Sequence, residues 1–327
     1  MSVFDKRIAF KPFEYPEVTQ FRDAINHSYW LVSEWNFISD VNDYHTKLNP
    51  IEKNVVRHSI LAISQIEVEV KKFWRQLGDR FPKAEFDQVG TTFGESEVRH
   101  AEAYSHLLQI LGLNEDFSHL VHKPAIQKRV EYLQKYLKNV SVATVEDRKK
   151  FMNTLSLFSL FIENVSLFSQ FAIIKSYNKH RNLLKDIDNV IQATQLEEQL
   201  HAKFGAWLVN QIKSEFPHWF DEDFSKELKK ACNKAFKAEC GVLDWIFEEG
   251  EPDFLSKEAL IEFLKDRFNE SLMMVGEEPM YEVDHVKLKS LQWFNDEINS
   301  EVNTDFFHKK PVTYSKKQQS IRSEDLF

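Results

Sequence analysis

The segment EVRHAEAY combines three residue types that can do chemistry. Its Glu97, His100 and Tyr104 are spaced three and then four residues apart, so on an α-helix their side chains lie along one stripe. Apolar residues continue this stripe in both directions, whereas the neighbouring glutamates fall on the opposite side of the helix. A carboxylate, an imidazole and a phenol on an apolar helix face indicate a buried functional site.

The pair Glu-x-x-His occurs four times in the chain, so the motif alone is weak evidence for a site. The pair Glu215–His218 contains a proline at a predicted helix end, and Glu282–His285 follows a glycine and a proline among charged residues. We interpret both as surface or loop features. The pairs Glu97–His100 and Glu198–His201 lie on apolar stripes, which makes them the candidate ligand pairs.

Two further glutamates occupy apolar stripes of predicted helices. Glu67 interrupts a stripe that runs from Val56 to Trp74, and Glu163 is the only acid in the apolar segment Phe151–Ile174. Alone, a glutamate on an apolar stripe is more often an edge residue whose carboxylate reaches water, and an inward histidine is more often a hydrogen-bonded core residue. Four helices with one inward carboxylate each, two of them with a histidine one turn away, favour a shared site.

Four carboxylates inside one protein core require compensation, because burying an ionised carboxylate without a partner is very costly. The carboxylates are therefore either protonated or neutralised by cations. Two divalent cations would balance four glutamates, and two neutral imidazoles would complete the ligand set. Glutamate and histidine ligands of this mix are typical of iron or manganese sites rather than of zinc-type sites built from thiolates. The order Glu, Glu-x-x-His, Glu, Glu-x-x-His is the dimetal pattern of ferritin-like helix bundles.

The composition excludes several other classes of protein. The chain has 327 residues, a net charge of −9 and only 8 glycines, which argues against a β-sandwich or barrel and against nucleic-acid binding. Phe151–Ile174 is long enough to span a bilayer, but its repeated polar residues and the lack of aromatic belts favour a buried helix over a membrane span. Cys232 and Cys240 are expected to be core or half-buried thiols. The N-terminus lacks a signal-peptide core, which predicts a cytoplasmic protein.

Proline and glycine divide the chain into long helical runs that could position these side chains. The last twenty residues are polar, lysine-rich and aperiodic, which is typical of a flexible tail. The sequence therefore predicts an all-α fold: a single helical domain over residues 1–307, with residues 1–29 as an N-terminal arm, and a tail over residues 308–327. The predicted helices are Ile51–Leu77, Thr91–Leu111, one that follows Pro124, the apolar run to about Tyr177, Asp186–Glu215, and two or three between Asp223 and Val275.

With these residues assembled, the chain resembles the small, radical-generating subunit of class I ribonucleotide reductase, from about Trp30 to the last residue. The resemblance implies a ferritin-like bundle with a dimetal cofactor that generates and stores the oxidising equivalent. A large catalytic subunit uses that equivalent to reduce ribonucleotides to deoxyribonucleotides. The family's radical tyrosine lies four residues after the first histidine, which is Tyr104 here. The metal ligands implied by the resemblance are Glu67, Glu97, His100, Glu163, Glu198 and His201.

The resemblance also implies a relay from the cofactor to the large subunit. Glu197 stands where the family has an aspartate that couples the relay to the metals, and Trp30 resembles the relay tryptophan. Trp35 is the alternative to Trp30, and a purely structural aromatic is the alternative to both. Tyr314 is the expected relay residue of the tail, which also carries a Phe-Phe pair and an acidic–apolar terminus. We expect the tail to bind the large subunit, and we expect a homodimer.

The first predicted ligand departs from much of the family, which has aspartate where this chain has Glu67. Lys71 follows one turn later, at a spacing that favours a Glu–Lys pair on a helix. A glutamate at this position resembles family members that keep the oxidant on a manganese-containing cluster. We therefore favour manganese, as two manganese ions or a mixed manganese–iron pair, with Lys71 near the metals and Tyr104 secondary. The alternative is a solvent-facing Lys71 and a di-iron centre with a tyrosyl radical.

Two other functions fit a dimetal bundle. A ferritin-like oxidase or oxygenase that acts on a small molecule would use the same ligands but would have no use for the tail. A metal-storage bundle is expected to be shorter than this chain. The tail therefore favours the reductase subunit over both.

Overall fold

The computed structural model describes residues 2–137 and 141–303, with the side chains of residues 68–71, 121, 135–137 and 300–303 left out of the description. Within these ranges the fold is all-α, as predicted, and no strand occurs in them. The α-helices are α1 Thr19–His27, α2 Ile38–Asn42, α3 Pro50–Arg75, α4 Leu77–Arg80, α5 Ala84–Ile110, α6 Asn114–His119, α7 Pro124–Leu137, α8 Val145–Leu157, α9 Phe168–Arg181, α10 Lys185–Glu215, α11 Glu222–Ile246, α12 Lys257–Met273, α13 His285–Leu288 and α14 Gln292–Asn303. Five short 3₁₀ turns and the π-helical segments Asp43–Lys47 and Phe158–Ser166 complete the elements described.

Helix α3 begins where its sequence predicts. The Asn49 side chain accepts from the amide of Glu52, and the Glu52 carboxylate accepts from the amide of Asn49. Pro50 occupies the first turn, where its missing amide costs nothing. This capping box fixes the start of the helix that carries Glu67.

The predicted start of the second long helix at Thr91 was wrong, because α5 begins seven residues earlier at Ala84. Gly90 lies inside α5, where a Cβ atom would be 2.5 Å from the carbonyl oxygen of Trp74. Gly90 therefore allows α5 to approach α3 closely. The longer α5 packs along α3 and brings Glu97 and His100 opposite Glu67.

The apolar run forms the centre of the bundle. It is not one regular helix but α8, the π-helical segment Phe158–Ser166 and α9 in succession. The stretch Val145–Arg181 is long and apolar enough to cross a membrane, yet its most apolar window is completely buried inside the protein. The prediction of a buried core helix is thus confirmed, whereas its π-helical middle was not predicted.

The N-terminal residues pack against the bundle along much of their length. Val3 and Phe4 are buried, and the Tyr15 hydroxyl donates to the Glu215 carboxylate over 2.7 Å. Helix α1 contacts α5 and α10. Glu215, one of the two acids set aside as surface features, therefore fastens the N-terminal arm to the end of α10.

Four elements surround the predicted site: α3, α5, the segment Phe158–Ser166 and α10. Gly205 permits the close packing of the last two, since a Cβ atom there would lie 2.0 Å from the Ser159 hydroxyl oxygen. Helices α7, α11 and α12 pack outside this core. Cys232 is buried and Cys240 half-buried, both as free thiols, as predicted.

Candidate metal centre

The six predicted ligands converge in the middle of the bundle, and each is essentially buried. One group that could hold a metal ion combines Glu97, Glu163, Glu198 and His201, and a second combines Glu67, Glu97 and His100. Within each group the ligand atoms lie within 4.8 Å of one another. Helices far apart in the sequence thus build one cluster with room for two neighbouring ions, which is the architecture of a dimetal ferritin-like bundle.

The two imidazoles face the cluster in the same way. The Nδ1 atom of His100 lies 3.0 Å from a Glu198 oxygen, and the Nδ1 atom of His201 lies 3.1 Å from a Glu97 oxygen. Their Nε2 atoms face outward, that of His100 to Glu197 at 2.7 Å and that of His201 to the Ser96 hydroxyl at 3.1 Å. Outer partners of this kind orient an imidazole and leave its inner nitrogen free to bind a metal.

Glu97 and Glu198 each reach both halves of the cluster. Glu97 places one oxygen 3.1 Å from His201 and the other 3.8 Å from His100. Glu198 places its oxygens 3.0 Å from His100 and 3.6 Å from His201. Two carboxylates that span two imidazoles have the geometry of bridging ligands.

The electrostatics of the cluster indicate missing positive charge. Burial raises the pKa of Glu97 above its usual range and that of Glu198 well above it, and the negative charge of Glu163 acts in the same direction on both. The carboxylate oxygens of Glu97 and Glu198 and the Nδ1 atoms of both histidines are buried without a hydrogen-bond partner among the described residues. Buried polar atoms are normally paired, so these residues fit a pair of bound cations.

Glu163 is the fourth carboxylate and belongs to the π-helical segment. One of its oxygens accepts a hydrogen bond of 2.9 Å from Trp74 Nε1, and the other lies 3.4 Å from Nδ1 of His201. Burial would raise the pKa of Glu163, but its contacts with Glu198 and His201 and the hydrogen bond from Trp74 hold that pKa below its usual range. An ionised Glu163 therefore pairs with His201 at one end of the cluster, opposite Glu67 and His100 at the other.

Tyr104 lies on the same face of α5 as Glu97 and His100 and is completely buried. Burial raises the pKa of its phenol well above the usual value; Glu67 and Glu198 act in the same direction, whereas a hydrogen bond with Thr194 lowers it. The phenol thus stays protonated beside the cluster. Its role as a radical-storing group remains a prediction.

Trp30 and Glu197 both contact His100, but among the described residues no hydrogen bond joins Trp30 to Glu197. The Trp30 ring stacks on the His100 imidazole at 5.9 Å and 13°, and its Nε1 has no hydrogen-bond partner among the described residues. Glu197 instead binds His100 and, at 3.0 Å, Nη2 of Arg99. Trp35, the alternative relay residue, lies 5.4 Å from Trp30 and farther out.

Arg99 is the functional candidate that sequence reasoning missed. It is buried, and its guanidinium lies over the Trp30 ring at 5.4 Å. Burial would lower the pKa of Arg99, but the negative charge of Glu197 acts in the opposite direction and the pKa is raised. A glutamate has one methylene more than the expected aspartate, and its second oxygen reaches this arginine. A signal was available in the sequence, since Arg99 directly precedes the predicted ligand His100.

Two predicted site residues cannot be placed. Lys71 belongs to α3, but its side chain lies outside the described part of the structure. Tyr314 and the rest of the tail also lie outside the described residues. The roles predicted for both stay predictions.

A cleft of about 660 Å³ leads from the protein surface toward Glu67. It lies between α3 and the outer face of α5, and its lining includes Ser64, Val98, Glu102 and His106. Glu67 is thus the cluster residue that lies at the bottom of a surface cleft.

The family model of the ribonucleotide reductase small chain matches residues 7–288. The chain belongs to the ribonucleotide reductase small chain family. A probable ribonucleoside-diphosphate reductase small subunit of Invertebrate iridescent virus 3 is 28% identical over 331 residues, which are 95% of this chain and 85% of that protein. By its family the chain is a small subunit of ribonucleotide reductase, an oxidoreductase.

Solved structures share the fold of this small subunit. A putative class I ribonucleotide reductase from Bacillus halodurans superposes with a TM-score of 0.76 at 16% identity, over 85% of this chain and 99% of that one. The dimanganese(II) protein NrdF of Streptococcus sanguinis gives a TM-score of 0.72 at 17% identity, over 88% and 100%. An R2-like ligand-binding oxidase with a Mn/Fe cofactor gives 0.69 at 17% identity, over 80% and 98%.

Proposed function

We propose that this chain holds two transition-metal ions and passes an oxidising equivalent from them to the large subunit of ribonucleoside-diphosphate reductase. The observation that carries the proposal is the buried cluster of four carboxylates and two imidazoles, in which the Glu97 and Glu198 carboxylates and both histidine Nδ1 atoms lack a hydrogen-bond partner among the described residues. Charge balance supports two divalent ions. When bound, such a pair supplies a strong one-electron oxidant that the polypeptide itself lacks.

In this proposal each protein group has a defined task. Glu97 and Glu198, which reach both imidazoles, would be shared by the two ions; Glu67 and His100 would hold one ion, and Glu163 and His201 would hold the other. The bundle excludes water from the cluster, since all of these side chains are buried. Exclusion of water protects an oxidant from side reactions.

The relay begins at His100. Glu197 accepts from the His100 imidazole, and Arg99 holds the second Glu197 oxygen. Because Trp30 stacks directly on the same imidazole, we infer an electron path from Trp30 through His100 to the cluster. Tyr314 in the tail then connects Trp30 to the large subunit, and Tyr104 serves as a secondary store.

For the metals we favour manganese, either as two manganese ions or as a manganese–iron pair, over two irons. Glutamate at position 67 supports this choice, together with the dimanganese(II) and Mn/Fe cofactors of two structural neighbours. Electron paramagnetic resonance of the loaded protein distinguishes the alternatives. We expect a manganese-coupled spectrum; a sharp tyrosyl signal that disappears in Tyr104→Phe together with turnover would contradict the manganese proposal.

A ligand-binding oxidase is the second candidate function. The cleft that reaches Glu67 favours it, as does the similarity to an R2-like ligand-binding oxidase. The two functions differ in their need for a partner subunit. The reductase subunit acts only with the large subunit, which we expect the tail to bind, and it is expected to be a homodimer.

Truncation after residue 307 separates the two functions. The shortened chain should bind the same metals as the full chain but should neither bind the large subunit nor support reduction of ribonucleoside diphosphates. Tyr314→Phe in the full chain should bind the large subunit normally and lose only turnover. A truncated chain with full reductase activity would contradict the proposal.

A further inference from the structure

The π-helical segment Phe158–Ser166 creates a backbone problem in the centre of the protein. In a π-helix the carbonyl of residue i bonds the amide of residue i+5, whereas in an α-helix it bonds the amide of residue i+4. Where the π segment returns to the α-helix α9, two successive carbonyls therefore point to one amide. A carbonyl deprived of its amide is costly when buried, unless another donor reaches it.

Two buried arginines from other helices supply donors at this point. Arg267 of α12 donates to the carbonyl oxygen of Asn164 from Nε at 3.1 Å and from Nη2 at 2.7 Å. Arg129 of α7 donates to the carbonyl oxygen of Ser166 from Nη2 at 2.6 Å. Both acceptors lie in the last three residues of the π segment, directly after Glu163.

Each arginine is itself held from several sides. Arg129 also donates to the Ala62 carbonyl of α3 at 3.0 Å and to the Glu239 carboxylate of α11 at 3.1 Å. Arg267 also binds the Asn164 side chain and Glu270, and its guanidinium lies 4.4 Å from the Phe168 ring centre. Charged donors in a rigid fork make stronger hydrogen bonds than neutral ones.

We propose that Arg129 and Arg267 form a two-arginine clamp that holds Phe158–Ser166 in its π-helical form and thereby positions Glu163 in the cluster. Both are positioning residues, since neither contacts the cluster itself. If this segment became a regular α-helix, its hydrogen-bond register would shift. Each residue of shift would rotate the side chains by about 100° about the helix axis. Loss of the clamp therefore turns Glu163 away from His201 and from Trp74.

The consequence for metal binding rests on the proposed dimetal function, but the clamp itself does not. The clamp is tested on metal-free protein by hydrogen exchange of peptides that cover residues 158–168. Arg267→Met removes the donors to Asn164, and its acid partner Glu270 is 40% exposed, so no buried charge is left unpaired. We expect exchange in these peptides to accelerate at least tenfold, which corresponds to the loss of about one charge-assisted hydrogen bond.

Arg80→Met is the matched control. Arg80 is equally buried and donates to a backbone carbonyl, that of Phe73 at 3.2 Å, but not to the π segment. Because Arg80 packs on Phe73 and the Phe73 ring stacks on Phe158, the comparison is made at residues 163–168, where the replacement of Arg80 should leave exchange at the wild-type rate. Arg267→Lys, which keeps the charge and one donor, should restore most of the protection and provides the comparison if Arg267→Met does not fold. Equal exchange in the Arg267 variants and the Arg80 control would overturn the clamp.

A second readout links the clamp to the cluster. Wild-type protein titrated with manganese should bind two ions, whereas Arg267→Met should bind the ion nearest Glu163 at least tenfold more weakly and show an altered paramagnetic resonance spectrum. The Glu67 half should bind as before. Accelerated exchange together with no metal binding by the wild type would support the clamp and refute the proposed function. Normal metal binding with unchanged exchange would refute the clamp alone.

Discussion

Two buried clusters of ionisable groups lie near each other in this bundle, and they are built on opposite principles. Around Arg129, one cation faces one carboxylate, Glu239, and the remaining arginine donors bind backbone carbonyls. In the metal centre, four carboxylates face two imidazoles, and many of their inner atoms lack hydrogen bonds. The first cluster pairs one cation with one carboxylate within the protein, although Oε2 of Glu239 has no hydrogen-bond partner among the described residues. The second cluster has an excess of carboxylates that bound cations would balance.

The comparison teaches how to separate a structural polar cluster from a functional one. Burial is the same in both, with Arg129, Glu239 and the six centre residues each at most 1% exposed. Charge compensation within the protein is what differs. Changes in the Arg129 cluster should therefore damage folding, and changes in the metal centre should damage ligand binding while the fold persists.

The largest effect is expected from Glu198→Ala. It removes a carboxylate that reaches both imidazoles, so metal content should fall below one ion per chain and reductase turnover should fall to background. The apoprotein should remain folded, because burial and the neighbouring carboxylates Glu163 and Glu97 raise the pKa of Glu198 well above its usual value, which means that the ionised group destabilises the cation-free fold. Metal analysis, turnover with the large subunit and circular dichroism check the three expectations. Full metal content in this variant would contradict the bridging role.

The second prediction concerns Arg129→Met. It leaves Glu239 buried and unpaired, which should lower the free energy of unfolding by about 3–5 kcal/mol. The double variant Arg129→Met with Glu239→Leu removes both charges and should recover much of that loss. Urea unfolding of the apoprotein measures both. Arg129→Met as stable as the wild type would contradict the expectation that Arg129 compensates the buried Glu239 carboxylate.

The third prediction uses Gly205, at the contact between α10 and the π segment. Gly205→Ala brings a Cβ atom to 2.0 Å from the Ser159 hydroxyl oxygen, and such overpacking should cost about 1–3 kcal/mol. Gly241→Ala is the control, because a Cβ atom at Gly241 in α11 meets nothing within 4 Å. There the replacement should stabilise the protein by about 0.4–1 kcal/mol. Equal effects of the two variants in thermal unfolding would contradict the close packing at Gly205.

The smallest effect is expected from the pH dependence of apoprotein stability. Burial raises the folded-state pKa of Glu198, so the folded state binds more protons than the unfolded state, and stability falls as the pH rises from the ordinary glutamate pKa toward the raised value. Glu198→Gln abolishes this contribution. Its melting temperature relative to wild type should therefore rise more at pH 8 than at pH 5. Gly241→Ala, which changes no ionisable group, should show no such pH-dependent difference, and parallel curves for Glu198→Gln and the wild type would refute the assignment.

Much of the centre could be predicted because helical periodicity is a local property. Glu67, Glu97, Glu163 and Glu198 each interrupt an apolar stripe, and this anomaly is readable from their own helices. Their order along the chain then indicated a common site. The structure brings all six predicted ligands together, which periodicity alone does not require.

The rest depends on contacts between helices, which a single sequence does not display. The π-helical segment differs from an α-helix by one hydrogen-bond register, and its apolar composition reads as either. The start of α5 at Ala84 depends on such a contact, since Gly90 inside this helix lies against the Trp74 backbone of α3. Arg99 and Arg129 carry no motif, and only the positions of Glu197 and Glu239 on other helices explain why these arginines are buried.

Anomalous X-ray diffraction at the manganese and iron absorption edges, from crystals loaded with both metals, tests the central claim most directly. The account predicts two anomalous peaks per chain between the four elements of the centre, with Glu97 and Glu198 touching both and manganese present in at least one. Crystals without a peak at this position, with the four carboxylates turned away from one another, would contradict it.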